Sequence, residues 1–203
     1  MAPALKILAD AAKESGFELA VVSAFRSFDQ QLAIWNAKAC GKRAVLDVSE
    51  YPIPPGTLNG WPLVEAILRW SALPGASRHH WGTDMDVYDR AAMPAGYQVQ
   101  LTQAEAEPNG VFGAFHQWLS RWLDNNPDVG FYRPYVKRLD GDCRPFGIAP
   151  EPWHLSFRPL SQQLEAEYDL TQLARLLETS DIQLKAPILE HLEEIYQRFI
   201  KVC

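Results

Sequence analysis

The sequence predicts an α+β fold. Apolar residues at helical spacing are interspersed with short β-rich runs, and the two kinds of segment do not follow the strand–helix rhythm of a parallel βαβ sheet. No internal repeat or low-complexity tract intervenes. The 203 residues are 47% hydrophobic and 11% aromatic. That is enough apolar material for one domain, or one domain with a small appendage, and too much for a disordered chain.

The elements follow in order. Leu5, Leu8, Ala9 and Ala12 recur at helical spacing over 4–15, and Ser15-Gly16 stops the run. Phe17 to Ser23 is a short buried strand with Arg26 just beyond its end. Residues 28–39 read as a helix burying Leu32 and Trp35, with Gly41 past its end. Pro52, Pro54 and Pro55 make 47–61 a loop. Pro62 suits the first turn of a helix over 62–73. Residues 74–88 run from a turn-rich loop into a strand, and 91–109 are irregular with a short helix after Thr102. An aromatic-rich helix is expected at 112–125, a strand broken by Pro134 at 129–136, a turn at 140–142 and the closing strand at 153–157. From 161 the composition shifts to two long helices, 161–179 and 185–201. Leu170, Leu173, Leu176 and Leu177, then Ile188, Leu189, Leu192, Ile195 and Phe199, give them apolar faces. Such faces either pack on the rest of the chain or form a docking or dimer surface.

Several function classes are excluded at this level. Nineteen basic residues against 25 acidic ones leave a formal charge of −6 without a basic run, which argues against a nucleic-acid reader. No apolar stretch approaches the length of a membrane span. Cys40, Cys143 and Cys203 are odd in number and lack CxxC spacing, so they read as ordinary thiols. Met1 to Lys6 carries no export pattern. The compartment stays open: cell envelope or periplasm if a segment once preceded this chain, cytoplasmic otherwise.

The chemistry concentrates on histidines. There are five, His79, His80, His116, His154 and His191. Catalytic zinc needs three protein ligands and an open fourth position. His79 from a loop, Asp86 from the following strand and His154 from a distant strand are able to converge on one metal. Glu151, three positions before His154, can hold a carboxylate beside a water whose pKa the metal lowers to about 7. His80 projects away from its neighbour, and His116 and His191 lie on amphipathic helices as packing or surface groups. Trp153 reads as a packing residue.

Ser77-x-His79-x-x-Gly82-x-x-x-Asp86 together with Glu151-x-x-His154 resembles the VanY-type D-alanyl-D-alanine carboxypeptidases. These are zinc peptidases of the LAS group, whose hedgehog/DD-peptidase fold is a small antiparallel sheet flanked by helices. Ser23-Ala24-Phe25-Arg26-Ser27 is similar to the family's Ser-Gly-Tyr-Arg-Ser segment, and Gly130-Phe131-x-x-Pro134 to the stretch before its last strand. The resemblance covers roughly 15–160. It implies a zinc peptidase domain over 1–160, with 161–203 a helical extension packed on it.

The same resemblance implies a zinc ion (Zn2+) on His79, Asp86 and His154, with Glu151 as general base. Arg26 would grip the free C-terminal carboxylate of a peptide, a task suited to a planar guanidinium. Ser77 falls near the substrate in the family, or orders its loop. Asp84 departs from the pattern, which has a small residue there. It sits two positions before Asp86 and so on the same face of a strand. It either lines the pocket as a substrate-binding group or pairs with Arg78 or a histidine to hold a ligand. Ala24 and Phe25 replace the commoner glycine and tyrosine, which leaves fine specificity open. The implied activity is hydrolysis of D-Ala-terminated, peptidoglycan-type peptides, D,D or L,D. A cross-link endopeptidase, a D-Ala-D-Ala dipeptidase or a non-catalytic metal-binding module are the alternatives. Glu151 argues against the last, since a structural site has no use for a base. Oligomeric state is not legible.

Overall fold

The computed structural model describes residues 1–136 and 147–201; the turn expected at 140–142, Cys143 and Cys203 lie outside them. Helix α1 (Ala2–Glu14) carries Pro3 in its first turn, where a missing N–H is tolerated. Gly16, at φ 87°, turns the chain toward strand β1 (Leu19–Ser23). Ser27 caps helix α2 (Phe28–Ala39) reciprocally: the Gln30 N–H donates to Ser27 Oγ (3.2 Å) and the Ser27 N–H to Gln30 Oε1 (2.9 Å).

The loop expected over 47–61 is more ordered than its prolines suggested. It contains part of a minimal hairpin, β2 (Val45–Leu46) against β3 (Pro52–Ile53). Asp47 Oδ1 accepts from the Ser49 and Tyr51 N–H groups and sets the turn. Helix α3 (Gly60–Leu68) stops at Leu68 and not at Leu73. Pro74 disfavours helical backbone at Leu73. The Ala72 carbonyl and the Ser71 hydroxyl are instead taken by Gln31 and Lys38 of α2.

Strand β4 (Asp84–Asp89) is followed by the short helix α4 (Gln103–Ala106) and by α5 (Gly113–Asn125). Strand β5 (Phe131–Tyr132) is shorter than the 129–136 expected, because Gly130 (φ 90°) and Pro134 bound it. Strand β6 (His154–Phe157) is last in chain order but interior in the sheet, whose order is β1-β4-β6-β5 with all neighbours antiparallel. The side-chain period of two then divides the chemistry from the core. Met85, Val87 and Leu155 face α1 and α5, packing with Leu8, Phe115 and Leu119. Asp84, Asp86, His154 and Ser156 face the other way.

The stretch read as one helix over 161–179 is two, α6 (Arg158–Ala166) and α7 (Leu170–Thr179). Asp169 separates them by capping α7, accepting from the Thr171 and Gln172 N–H groups. The second long helix is also broken, into α8 (Lys185–Glu190), α9 (Leu192–Ile195) and a π-helical turn at Tyr196–Ile200. These helices bury Leu173, Leu177, Ile188, Ile195 and Phe199 against Trp35, Val64 and Ile67 of α2 and α3. The Trp35 Nε1–H donates to the Gln183 carbonyl at 3.0 Å. Among the described residues, no helix is long and apolar enough to cross a membrane.

Candidate metal centre

One turn of 3-10 helix, Arg78–Trp81, leads into β4 and is ended by Gly82 at φ 69°. It presents His79 to the polar face of the sheet. His79 Nδ1 lies 2.7 Å from the Ala24 carbonyl, so that nitrogen carries the proton and Nε2 keeps its lone pair. The Arg26 N–H returns a bond to the His79 carbonyl at 3.1 Å, stitching the β1–α2 junction to the turn.

His80 completes the stitching. Its Nε2 accepts from the Gly75 N–H (3.1 Å), which leaves Nδ1–H to donate to the Arg26 carbonyl (2.6 Å). Burial lowers its pKa, consistent with a neutral imidazole spent on holding loops together.

Asp86 and His154 stand directly opposite each other across β4 and β6. His154 Nε2 lies 2.8 Å from Asp84 Oδ2, so the Nε2–H donates there and Nδ1 is left as a lone pair. That Nδ1 is 3.2 Å from Asp86 Oδ1 and 3.3 Å from Glu151 Oε2, and His79 Nε2 is 3.4 Å from Asp86 Oδ2. One donor atom each from His79, Asp86 and His154 lie within 4.8 Å of one another. Asp86 Oδ1 is buried without a hydrogen-bond partner, a costly state for a carboxylate oxygen. Two imidazole lone pairs and an unpartnered anionic oxygen facing a common point are the donor set a divalent zinc ion takes, so the residues fit that group.

The electrostatics agree. Burial opposes ionisation of Asp86, but the adjacent His154 and His79 rings outweigh it and hold the carboxyl well below the usual range. Burial also disfavours an imidazolium at His154, yet Asp84, Asp86 and Glu151 together raise its pKa well above the ordinary histidine value. A proton and a cation therefore compete for the same Nδ1.

For Asp84 two readings were open, lining the pocket as a substrate-binding group or pairing with Arg78 or a histidine to hold a ligand. Asp84 is 1% exposed. Its Oδ2 accepts from Arg78 Nε (2.8 Å) and His154, and its Oδ1 from Thr83 Oγ1 (2.7 Å) and Ser156 Oγ (2.9 Å). Every acceptor direction is taken by the protein, so it holds a candidate ligand. Burial opposes its charge, but His154 and Arg78 prevail and bring its pKa to about 2.

Glu151 opens the turn that delivers His154, whose N–H donates to the Glu151 carbonyl at 3.2 Å. Its side chain is 18% exposed, against 5% for Asp86, so it is the more accessible carboxylate. Arg26 stands at the edge of the site. Its guanidinium donates to Gln31 Oε1 and Ser23 Oγ, both at 2.9 Å, and among the described residues it meets no carboxylate. Ser77 is buried at the foot of the turn, its carbonyl accepting from the His80 N–H.

Sequence reasoning did not single out Gln31, Lys38, Tyr135, Ser156 or Glu165. Ser156 was findable, being two positions after His154 on the same face of a strand. Tyr135, whose ring lies 4.9 Å from that of His154, and Lys38 reach the site only through tertiary packing. Burial, aided by Arg43, lowers the Lys38 pKa to about 8 against the opposing pull of Glu151.

Fold and donor set define a class: an α+β chain whose sheet carries a candidate mononuclear N,O,N metal site with a second carboxylate beside it. The chain belongs to the VanY D-alanyl-D-alanine carboxypeptidase family, whose model matches residues 1–160. It is 30% identical over 125 residues to an uncharacterised protein of Haemophilus influenzae, a match covering 62% of this chain and 90% of that one. Among solved structures it is similar to the LdcB LD-carboxypeptidase, at 27% identity and a TM-score of 0.49 over 92% of this chain and 65% of that one. It is also similar to a mutant of the vancomycin-resistance D,D-pentapeptidase VanY in complex with Zn(II), at 20% identity and a TM-score of 0.47 over 92% and 80%.

Proposed function

We propose that this protein is a zinc-dependent carboxypeptidase that removes a terminal residue from D-Ala-terminated, peptidoglycan-type peptides. The observation that carries this is the convergence of His79, Asp86 and His154, with lone pairs set by their outer hydrogen bonds and Asp86 Oδ1 left without a protein donor. Family membership supports the substrate class.

Zinc held by those three residues supplies Lewis acidity, lowering the pKa of water and polarising the scissile carbonyl. Glu151 takes a proton from the attacking water as the new C–O bond forms. It gives that proton to the leaving amine as the C–N bond breaks, so base and acid are one carboxyl in two steps. Arg26 pairs with the C-terminal carboxylate and fixes the terminal residue, its fork already oriented by Gln31 and Ser23. Ser77 orders the loop that carries His79. In this reading 1–160 carries the chemistry and 161–203 braces it.

The test is metal analysis followed by mass spectrometry of a D-Ala-terminated pentapeptide, with and without chelator. Loss of one residue, abolished by chelator and restored by zinc, is the expected result. Loss of two residues or an internal cut would replace the carboxypeptidase with a dipeptidase or endopeptidase. Glu151→Gln should keep its metal and lose roughly 10²–10⁴ in turnover. Unchanged turnover would remove Glu151 from the mechanism.

A further inference from the structure

Arg78 is a buried cation, with 3% of its side chain exposed, immediately before a candidate metal ligand. Its guanidinium is held on every side. Nε donates to Asp84 Oδ2 (2.8 Å), while Nη2 donates to Tyr132 Oη (3.0 Å) and Ser156 Oγ (2.7 Å). Nη1 pairs with Glu165, and the Trp81 ring lies 4.7 Å from the guanidinium carbon. Ser156 accepts from Arg78 and donates in turn to Asp84. The contacts form a continuous chain from Glu165 on α6 through Arg78 and Asp84 to His154 Nε2, the nitrogen opposite the one that faces the candidate metal position.

We infer that Glu165 is a positioning residue for the metal centre, acting through Arg78 on Asp84 and so on the Nδ1 lone pair of His154. Two effects operate in the same direction. By sharing the Arg78 charge, Glu165 leaves Asp84 a stronger acceptor for the His154 Nε2–H, which makes Nδ1 a better donor to a cation. By fixing one end of the guanidinium fork, it also fixes the direction of Arg78 Nε and the place of the Asp84 carboxylate. Helix α6 follows directly on β6, which carries His154, so the chain of contacts closes a loop from β6 through α6 back to β4. Glu165 lies beyond residues 1–160, where the family model ends. The unit that sets the metal centre therefore extends into the C-terminal helices.

The inference rests on the zinc reading above, and its test reads metal binding without turnover. Zinc dissociation constants and cobalt(II) absorption spectra would be measured on the full-length protein, Glu165→Gln and Glu165→Ala, with thermal melting as a check on folding. Glu165 is 23% exposed on its side chain, so the isosteric glutamine can be hydrated where it loses its ion pair. The expected result is zinc binding weakened about tenfold in Glu165→Gln, the lower end for groups outside the ligands themselves. A displaced cobalt band and a similar loss in kcat at unchanged KM should accompany it. Wild-type zinc affinity and an unshifted cobalt band in both variants, even with a lowered melting temperature, would overturn the inference and leave the zinc reading intact. A wild-type protein that binds no zinc overturns both.

Discussion

The imidazoles of this protein are differentiated by what each ring's nitrogens touch. His79 and His154 donate outward, to the Ala24 carbonyl and to Asp84, and keep an inward lone pair. His80 uses both nitrogens on backbone and has none to offer a metal. His116 is buried on α5, with Nδ1 facing Arg133 Nη2 at 3.3 Å. Burial first, and the Arg133 charge second, lower its pKa to about 3. The ring therefore stays neutral in the folded protein under conditions where the unfolded chain takes up a proton. Its contribution to stability is complete above about pH 6.5 and is lost as the pH falls toward 3. Between pH 6.5 and 4, above the range where Asp84 and Asp86 titrate, this amounts to roughly 3 kcal/mol at about 1.4 kcal/mol per pH unit. Denaturant titrations of the metal-free protein should show that fall, and His116→Gln should flatten it. An identical slope in the variant would assign the acid sensitivity elsewhere. Local spacing relates His79 to Asp86 and Glu151 to His154, because a strand's alternation and a single turn fix neighbours within a few positions; that the two pairs meet was an expectation from the family resemblance. Glu165 was not legible, because its link to Asp84 spans 81 residues and passes through Arg78, whose second carboxylate partner no local spacing identifies.

Local rules work where a segment carries its own punctuation and fail where packing decides. Helix α2 falls on 28–39 as read, because Ser27 and Gln30 form a complete cap and Gly41 follows its end. The helix expected over 161–179 breaks at Asp169, whose short carboxylate caps a new helix better than it continues an old one. Strand β5 keeps only Phe131 and Tyr132, since Gly130 and Pro134 limit the pairing that the apolar run invites. The α2 cap also serves the site, because Arg26 is the residue immediately before it. Removing the Ser27 hydroxyl leaves the Gln30 N–H without its acceptor and breaks the reciprocal cap, although the Ser27 N–H still donates to Gln30 Oε1. Ser27→Ala should cost about 1 kcal/mol in chemical denaturation. It should also raise KM more than it lowers kcat, because the proposed Arg26 grip loosens while the candidate metal ligands stay in place. A variant with wild-type KM would show that Gln31 and Ser23 alone suffice to orient Arg26.

Two apolar clusters among the described residues divide the labour of the fold. One lies between α1, α5 and the back of the sheet, and the other joins α2 and α3 to the C-terminal helices. A cut at residue 160 passes through the second. It removes Leu173, Leu177, Ile188, Ile195 and Phe199 and uncovers Trp35, Val64 and Ile67, all of which are fully buried or nearly so. Each large apolar side chain returned to water costs about 1.5–3 kcal/mol, against a net stability of about 5–15 kcal/mol for a typical domain. The cut also removes the Trp35–Gln183 bond, the Asn36 contacts with Asp181 and Gln183, and the Arg198–Glu65 pair. Arg78 is left as a buried cation without one of its two carboxylates. A chain ending at 160 should therefore fail to give a soluble, cooperatively melting monomer, as judged by size-exclusion chromatography, near-ultraviolet circular dichroism and thermal unfolding. The full chain should pass all three. A stable 1–160 fragment that binds zinc with wild-type affinity would contradict both this packing argument and the role given to Glu165. A fragment that stays soluble but binds zinc weakly would retain the Glu165 assignment while showing that the first cluster folds alone.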